Sequence, residues 1–208
     1  MELALFTIVV LIFSIILHEV AHGYAAQALG DPTARLAGRL TLNPLPHIDI
    51  VGSVLVPAFL VLTNAHMMFG WAKPVPYNPY NLKNQRWGEA FVGVAGVATN
   101  LALAVIFALV ARYAGAHGMT DVAGLAAIIT LVNLSLGLFN LIPIPPIDGY
   151  TVLRSILPYK ASMALGRFEE RMRAGGIFTL ILVLFLLTTF FTAPFYALVE
   201  YCYKLLIG

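Results

Sequence analysis

Residues 3–28 read LALFTIVVLIFSIILHEVAHGYAAQA, and this stretch decides the fold class. Its length is near the roughly 20 residues that an α-helix needs to cross the hydrocarbon core of a bilayer. A nearly unbroken apolar run from Leu3 to Leu17 leads into His18-Glu19-Val20-Ala21-His22. An ionisable side chain deep in a membrane helix costs about 3 kcal/mol, so a glutamate flanked by two histidines at this place implies a use. Ala26-Gln27-Ala28 resembles a signal-peptide cleavage site, but no Lys or Arg precedes the apolar run, and the helix is expected to be permanent.

Outward from it, four more apolar stretches lie at about 51–71, 90–111, 122–145 and 177–199. The whole chain of 208 residues is 60% hydrophobic and 11% charged, with a mean hydropathy of +0.88. An ordinary soluble domain is roughly 45–50% apolar and about 25% charged, so the surplus is expected to face lipid. Helix is the default for segments in lipid, because no water is present to satisfy an open backbone. A net charge of +2 is too small to build a basic face, which excludes nucleic acid as a partner class. The single cysteine, Cys202, can form no intrachain disulfide and reads as a small apolar filler. One membrane-embedded domain over 1–208 is expected.

In the H-E-x-x-H pentapeptide the two histidines, four apart, share a helical face with the glutamate beside them. Neutral imidazoles are zinc ligands, and a catalytic zinc site keeps three protein ligands with the fourth position left for water. The metal brings that water's pKa to near 7, and a glutamate that is not a ligand can take its proton. A third ligand is needed. Among the few acidic residues Asp148 stands out, at the end of Asn140-Leu141-Ile142-Pro143-Ile144-Pro145-Pro146-Ile147-Asp148-Gly149. The prolines there must break the helix, and broken backbone at membrane depth is tolerated only inside protein or beside a water-filled cavity. A proline-stopped helix end with a solvated aspartate is the plainer reading of the same run.

These residues resemble the site-2 protease family of intramembrane zinc metalloproteases, and in particular its short bacterial branch without PDZ or CBS domains. The resemblance rests on His18 to His22 followed by Gly23, on Asn140 to Gly149 as the family's N-x-x-P-x-x-x-x-D-G element, and on Ala95-Gly96-Val97-Ala98-Thr99-Asn100 as its A-G-P-x-x-N element. Gly38 to Pro44, His47-Ile48-Asp49 and Gly70 to Pro76 are also similar to the short branch. The resemblance implies one Zn2+ held by His18, His22 and Asp148, Glu19 as the catalytic base, and Asn140 polarising the substrate carbonyl or holding the oxyanion. It implies transmembrane protein substrates and a multi-pass place in the bacterial plasma membrane. Val97, Ile147 and Tyr150 depart from the family's usual proline, leucine and small residue; none is a ligand.

Asn100 is a second candidate contact to substrate, although an amide bonded to a neighbouring helix beside Gly93, Gly96 and Thr99 is the stronger reading. His47 and Asp49 read as groups that satisfy loop backbone. His66, His117, Trp71, Tyr77, Tyr80 and Trp87 read as interface residues. Glu169 and Arg173, at i and i+4, suit a solvated helix.

Topology can be tested within the sequence. If all five stretches cross, His22 and Asp148 fall toward opposite faces, and one zinc cannot easily use both. If 51–71 re-enters instead, the first and fourth helices run the same way and can build one site. With an outside N-terminus, re-entry puts Arg35, Arg39, Lys73, Lys83, Arg86, Arg154, Lys160, Arg167, Arg171 and Arg173 inside and leaves only Arg112 and Lys204 outside. The positive-inside rule prefers this to the all-spanning alternative. The fold expected is therefore an all-α polytopic membrane protein: about four transmembrane helices, a re-entrant segment and a short extended, hairpin-like loop around a buried zinc site open toward the cytoplasmic side. The loop is Gly70 to Tyr80, where Pro74, Pro76 and Pro79 forbid helix, and Val75 is the candidate for pairing with an unwound substrate backbone by strand addition. Two other functions share these residues: a membrane zinc transporter or metal-binding protein, and a relative that binds membrane helices without cutting them.

Overall fold

The computed structural model describes residues 2–55 and 72–208. The first apolar stretch forms one helix, α1 (Glu2–Ala28), and a single helical turn, α2 (Thr33–Leu36), follows it. The next long helices are α3 (Gln85–Ala116) and α4 (Thr120–Asn140), then come α5 (Asp148–Ile156) and α6 (Tyr159–Ala174). The last apolar stretch is α7 (Gly176–Leu186), a π-helical turn over Leu187–Phe191 and α8 (Thr192–Ile207). Among the described residues there is no strand. Among those residues three helices, α1, α3 and α4, are long and apolar enough to cross a membrane. The expected re-entry of 51–71 lies, from residue 56 on, outside the described residues; Ile50–Leu55 is a π-helical turn.

The three long helices pack as an up-down-up set. Asn100 of α3 reaches His18 and the Ser14 carbonyl of α1, whereas Val92 of α3 meets His22, so α1 and α3 run antiparallel. Asn100 also bonds Asn133 of α4. The short connection at 117–119 makes α4 antiparallel to α3, and α4 therefore runs with α1. On the far side α8 closes the bundle through Ala104, Leu134 and Val199, with Cys202 half-buried among them.

Burial runs opposite to that of a soluble bundle. Leu3, Leu5, Ile8, Ile12 and Phe13 of α1 are exposed, while Ser14, His18 and His22 are buried. Apolar side chains facing outward at this density are stable only against lipid, and the polar groups turned inward find one another.

The connection from α1 to α3 leaves and returns at the same end of the helix pair. The Lys83 N–H donates to the Leu29 carbonyl at 2.9 Å. Asp31, fully buried, accepts from the Asn78 N–H at 2.7 Å and from Asn81 Nδ2 at 2.8 Å. Residues 72–78 lack regular secondary structure, as Pro74 and Pro76 require, whereas Pro79, expected to forbid helix, opens a 3-10 turn over Pro79–Asn81, where a first-turn proline gives up no helical hydrogen bond.

Candidate metal centre and active site

The site is assembled where the C-terminal half of α1, the N-terminal half of α3 and the first turn of α5 meet. His18 and His22 stand one turn apart on α1, and their Nε2 atoms are 3.0 Å apart. Asp148 is the first residue of α5, after a turn containing a cis Pro145–Pro146 peptide bond. Its Oδ2 lies 2.9 Å from His18 Nε2 and 3.2 Å from His22 Nε2. Among the described residues this is the one group of three or more His, Cys, Asp or Glu placed to hold a metal.

The outer nitrogens show which inner ones are available. His22 Nδ1 sits 2.6 Å from the Val92 carbonyl, which can only accept, so the Nδ1–H is the donor. His18 Nδ1 lies 2.6 Å from Asn100 Oδ1. Asn100 Nδ2 donates to Asn133 Oδ1 at 3.0 Å and faces the Ser14 carbonyl at 3.4 Å, which leaves its Oδ1 as the acceptor for His18. With both protons outside, two imidazole lone pairs and a carboxylate oxygen converge on one point, and only a cation or shared protons can fill it. Ligand atoms about 2.0–2.2 Å from a common ion stand about 3.3 Å apart at tetrahedral angles. The separations found here, 2.9–3.2 Å, fit such an ion with a small outward adjustment.

Gly96 is what allows the histidines this close to α3. A Cβ at that position would lie 2.5 Å from His22 Nε2 and 2.7 Å from His18 Nε2. A helical side chain also covers the turn before its own Cα, so a bare residue 96 uncovers the Val92 carbonyl for His22. Gly93, one turn earlier, does the same for α5, since a Cβ there would lie 3.0 Å from Val152 Cγ2 and 3.5 Å from the Asp148 carbonyl. Arg86 then holds the other end of α5, donating to the carbonyls of Ser155, Ile156 and Leu157.

Glu19 is the one acidic side chain of α1 in the site, and it is not one of the three grouped side chains. Its Oε2 accepts from the main-chain N–H of Val75 at 2.8 Å. Val75 is buried, and its Cγ1 packs over Gly23, where a Cβ would stand 2.9 Å away.

The other residues singled out in the sequence are placed as follows. Asn140 ends α4, half-buried, with Nδ2 donating back to the Leu136 carbonyl at 3.0 Å. Asn100 is buried in the bond to a neighbouring helix described above. His47 is buried against the Thr41 carbonyl, and Asp49 accepts from the Gly52 N–H, so both serve loop backbone. His117 faces the Tyr113 carbonyl at the exposed end of α3. Tyr80 and Trp87 are exposed, Tyr77 is half-buried, and His66 and Trp71 lie outside the described residues. Glu169 and Arg173 pair at 2.7 Å, and Arg154 joins Glu169 to Glu89. Tyr150, where the family usually has a small residue, is buried and donates to the Leu165 carbonyl, tying α5 to α6. Sequence reasoning missed Asn133, Asp31 and the Val92 carbonyl. A polar residue inside an apolar stretch was a signal for Asn133, but a main-chain carbonyl has no residue type to mark it.

The family model for peptidase family M50 matches residues 112–184, a region that holds Asp148 but not the two histidines. A Bacillus subtilis protein provisionally named zinc metalloprotease YwhC is 40% identical over 162 residues, which are 74% of this chain and 69% of that protein. Mycolicibacterium smegmatis Rip2, also provisionally named a zinc metalloprotease, is 29% identical over 161 residues, covering 76% of this chain and 60% of the relative. Zinc metalloprotease MJ0392 of Methanocaldococcus jannaschii is 26% identical over 152 residues, covering 73% of this chain and 34% of that protein. No solved structure matches the chain. With the two histidines, the aspartate and the neighbouring glutamate in one site, and with that extent of likeness to YwhC, the chain belongs to peptidase family M50, the site-2 protease family of zinc metalloendopeptidases.

Proposed function

We propose that this protein is an intramembrane endopeptidase that hydrolyses peptide bonds in or near transmembrane segments of other proteins, with His18, His22 and Asp148 as zinc ligands and Glu19 as the catalytic base. The observation that carries the reading is the convergence of three ligand atoms within 3.2 Å of one another beside a glutamate that is not one of them. When bound, zinc supplies Lewis-acid activation of water and of the scissile carbonyl. Glu19 takes the proton from the attacking water at a carboxylate oxygen and delivers it to the leaving amine. Asn140, whose side-chain oxygen and second amide hydrogen are not used by the bond to Leu136, is assigned to the oxyanion. Asn100 orients His18, while the extended segment around Val75 is where unwound substrate backbone would run, along groups other than the Val75 N–H, which is bonded to Glu19. A substrate helix must unwind first, since its carbonyls are otherwise bonded within the helix. Helix-breaking residues at the cut are therefore expected. The site opens to the cytoplasmic side of the cell membrane, the arrangement favoured by positive charge and by a connection between α1 and α3 that begins and ends at one end of the bundle.

The test measures zinc and cleavage together in detergent-purified protein. Glu19→Gln is expected to keep about one zinc per chain and to lose cleavage by at least about a thousandfold, whereas Asp148→Ala is expected to lose zinc. A Glu19→Gln protein that still cleaves would sink the assignment, and zinc transport unaffected by Glu19→Gln would favour a carrier.

A further inference from the structure

Lys73-Pro74-Val75-Pro76-Tyr77 is a segment with its main-chain donors removed on both sides of one residue. Proline has no N–H, so Val75 carries the single donor within residues 74–76. The flanking residues Lys73, Pro74 and Pro76 are exposed, and only Val75 turns inward. Its one N–H goes to Glu19 Oε2 at 2.8 Å.

Both ends of the segment are held by buried side chains or by main chain. Arg39 Nη2 donates to the Lys73 carbonyl at 2.8 Å, and the Lys73 N–H donates to the His47 carbonyl at 2.9 Å. Beyond the prolines, the Asn78 N–H is fixed on Asp31 at 2.7 Å. In the middle, Val75 and Leu40 both rest on Gly23, directly after His22. Two prolines set φ near −65° and remove alternative conformations in advance, so little freedom remains to be lost when the N–H meets the carboxylate.

We propose that the Val75 main-chain N–H is a positioning group for Glu19, fixing one carboxylate oxygen so that the other, Oε1, stays aimed at the attacking water. This rests on the reading of Glu19 as the base. A carboxylate at the end of a flexible side chain samples several rotamers, and a single charge-assisted bond from a rigid donor selects one. The role differs from pairing with substrate: the donor is spent within the enzyme, and its loss is felt in turnover rather than in substrate affinity.

The test replaces the Pro74–Val75 peptide bond by an ester, which deletes the N–H and keeps the valine side chain. The substrate is a quenched fluorescent peptide of about twenty apolar residues with a central Asn-Gly break, in detergent micelles. The expected result is a fall in kcat of about ten- to a hundredfold, with KM within about twofold and zinc content unchanged. Unchanged kcat overturns the proposal. A raised KM with kcat intact also overturns it and assigns the N–H to substrate, and loss of zinc overturns it by showing that the segment holds the whole centre. A second measurement needs no ester. Hydrogen exchange over residues 73–77 is expected to expose one more amide in Glu19→Ala than in Glu19→Gln, whose side-chain oxygen still accepts, and equal exchange would count against the bond. Cleavage retained in Glu19→Gln would instead remove Glu19 as the base, so the two failures are distinguishable.

Discussion

At the scale of residues, the site is a problem of close approach. Two imidazoles on α1 must point their Nε2 atoms at one place, and each needs an acceptor behind it to hold its proton on Nδ1. Asn100 and the Val92 carbonyl are those acceptors, and bare Gly96 is the space through which they are reached. Gly96→Ala is therefore expected to lose most bound zinc while the helix content stays constant. A zinc titration followed by circular dichroism checks this, and full occupancy at unchanged affinity would show that the rings can move aside. The histidines and Glu19 were legible because all three lie on two turns of a single helix, where spacing alone decides who shares a face. Gly96 was legible as a small residue and as part of the Ala95 to Asn100 element, but not as the space for the histidines, since what it is small for stands on another helix.

At the scale of elements, two clamps set the geometry. Arg86 caps α5 from α3, so the helix that begins with Asp148 is held at both ends. Asp31 ties the exit of α1 to the approach of α3 through Thr33, Asn78 and Asn81. Burial by itself would raise the Asp31 carboxyl, but the bonds from Thr33, Asn81 and Asn78 hold it below its ordinary range. A depressed carboxyl contributes stability that is present above its unfolded pKa of about 3.9 and is lost as pH falls through the lower folded value. Asp31→Ala leaves several buried donors unmet and is expected to destabilise the protein by on the order of 3 kcal/mol at neutral pH. The gap between the two proteins should narrow as pH drops below about 4; thermal unfolding in detergent measures both, and a gap independent of pH would mean that the carboxylate charge is not what binds the loops. The long helices were legible from apolar length, and the proline segments from their missing donors. The bonds of Asp31 to Thr33 are local, but its clamping role carried no mark, because its partners at 78 and 81 are distant in sequence.

At the scale of the whole molecule, apolar residues cover the outside and the polar ones meet within, as lipid solvent requires. With α1 and α4 parallel and an outside N-terminus, positions 35 and 171 are expected on the cytoplasmic side and 117 outside. Single cysteines at these positions in a Cys202→Ser background, labelled with an impermeant maleimide, check this: 117 should react in intact cells, and 35 and 171 only after the cells are opened. Labelling of 35 and 171 from opposite sides would refute the arrangement. Composition and apolar length by themselves determined that the chain is helical and embedded in a membrane, because a backbone in hydrocarbon has few ways to satisfy its groups. The H-E-x-x-H spacing likewise determined that two imidazoles share one face of α1 with a carboxylate beside them, being a local property of one helix. Only the tertiary structure decided that Asp148 joins them, that Asn100 stands behind His18, and that the Val75 N–H meets Glu19. Each of these is a contact between segments far apart in the chain, and such contacts depend on how helices cross and how closely they approach, which no spacing within a single helix encodes.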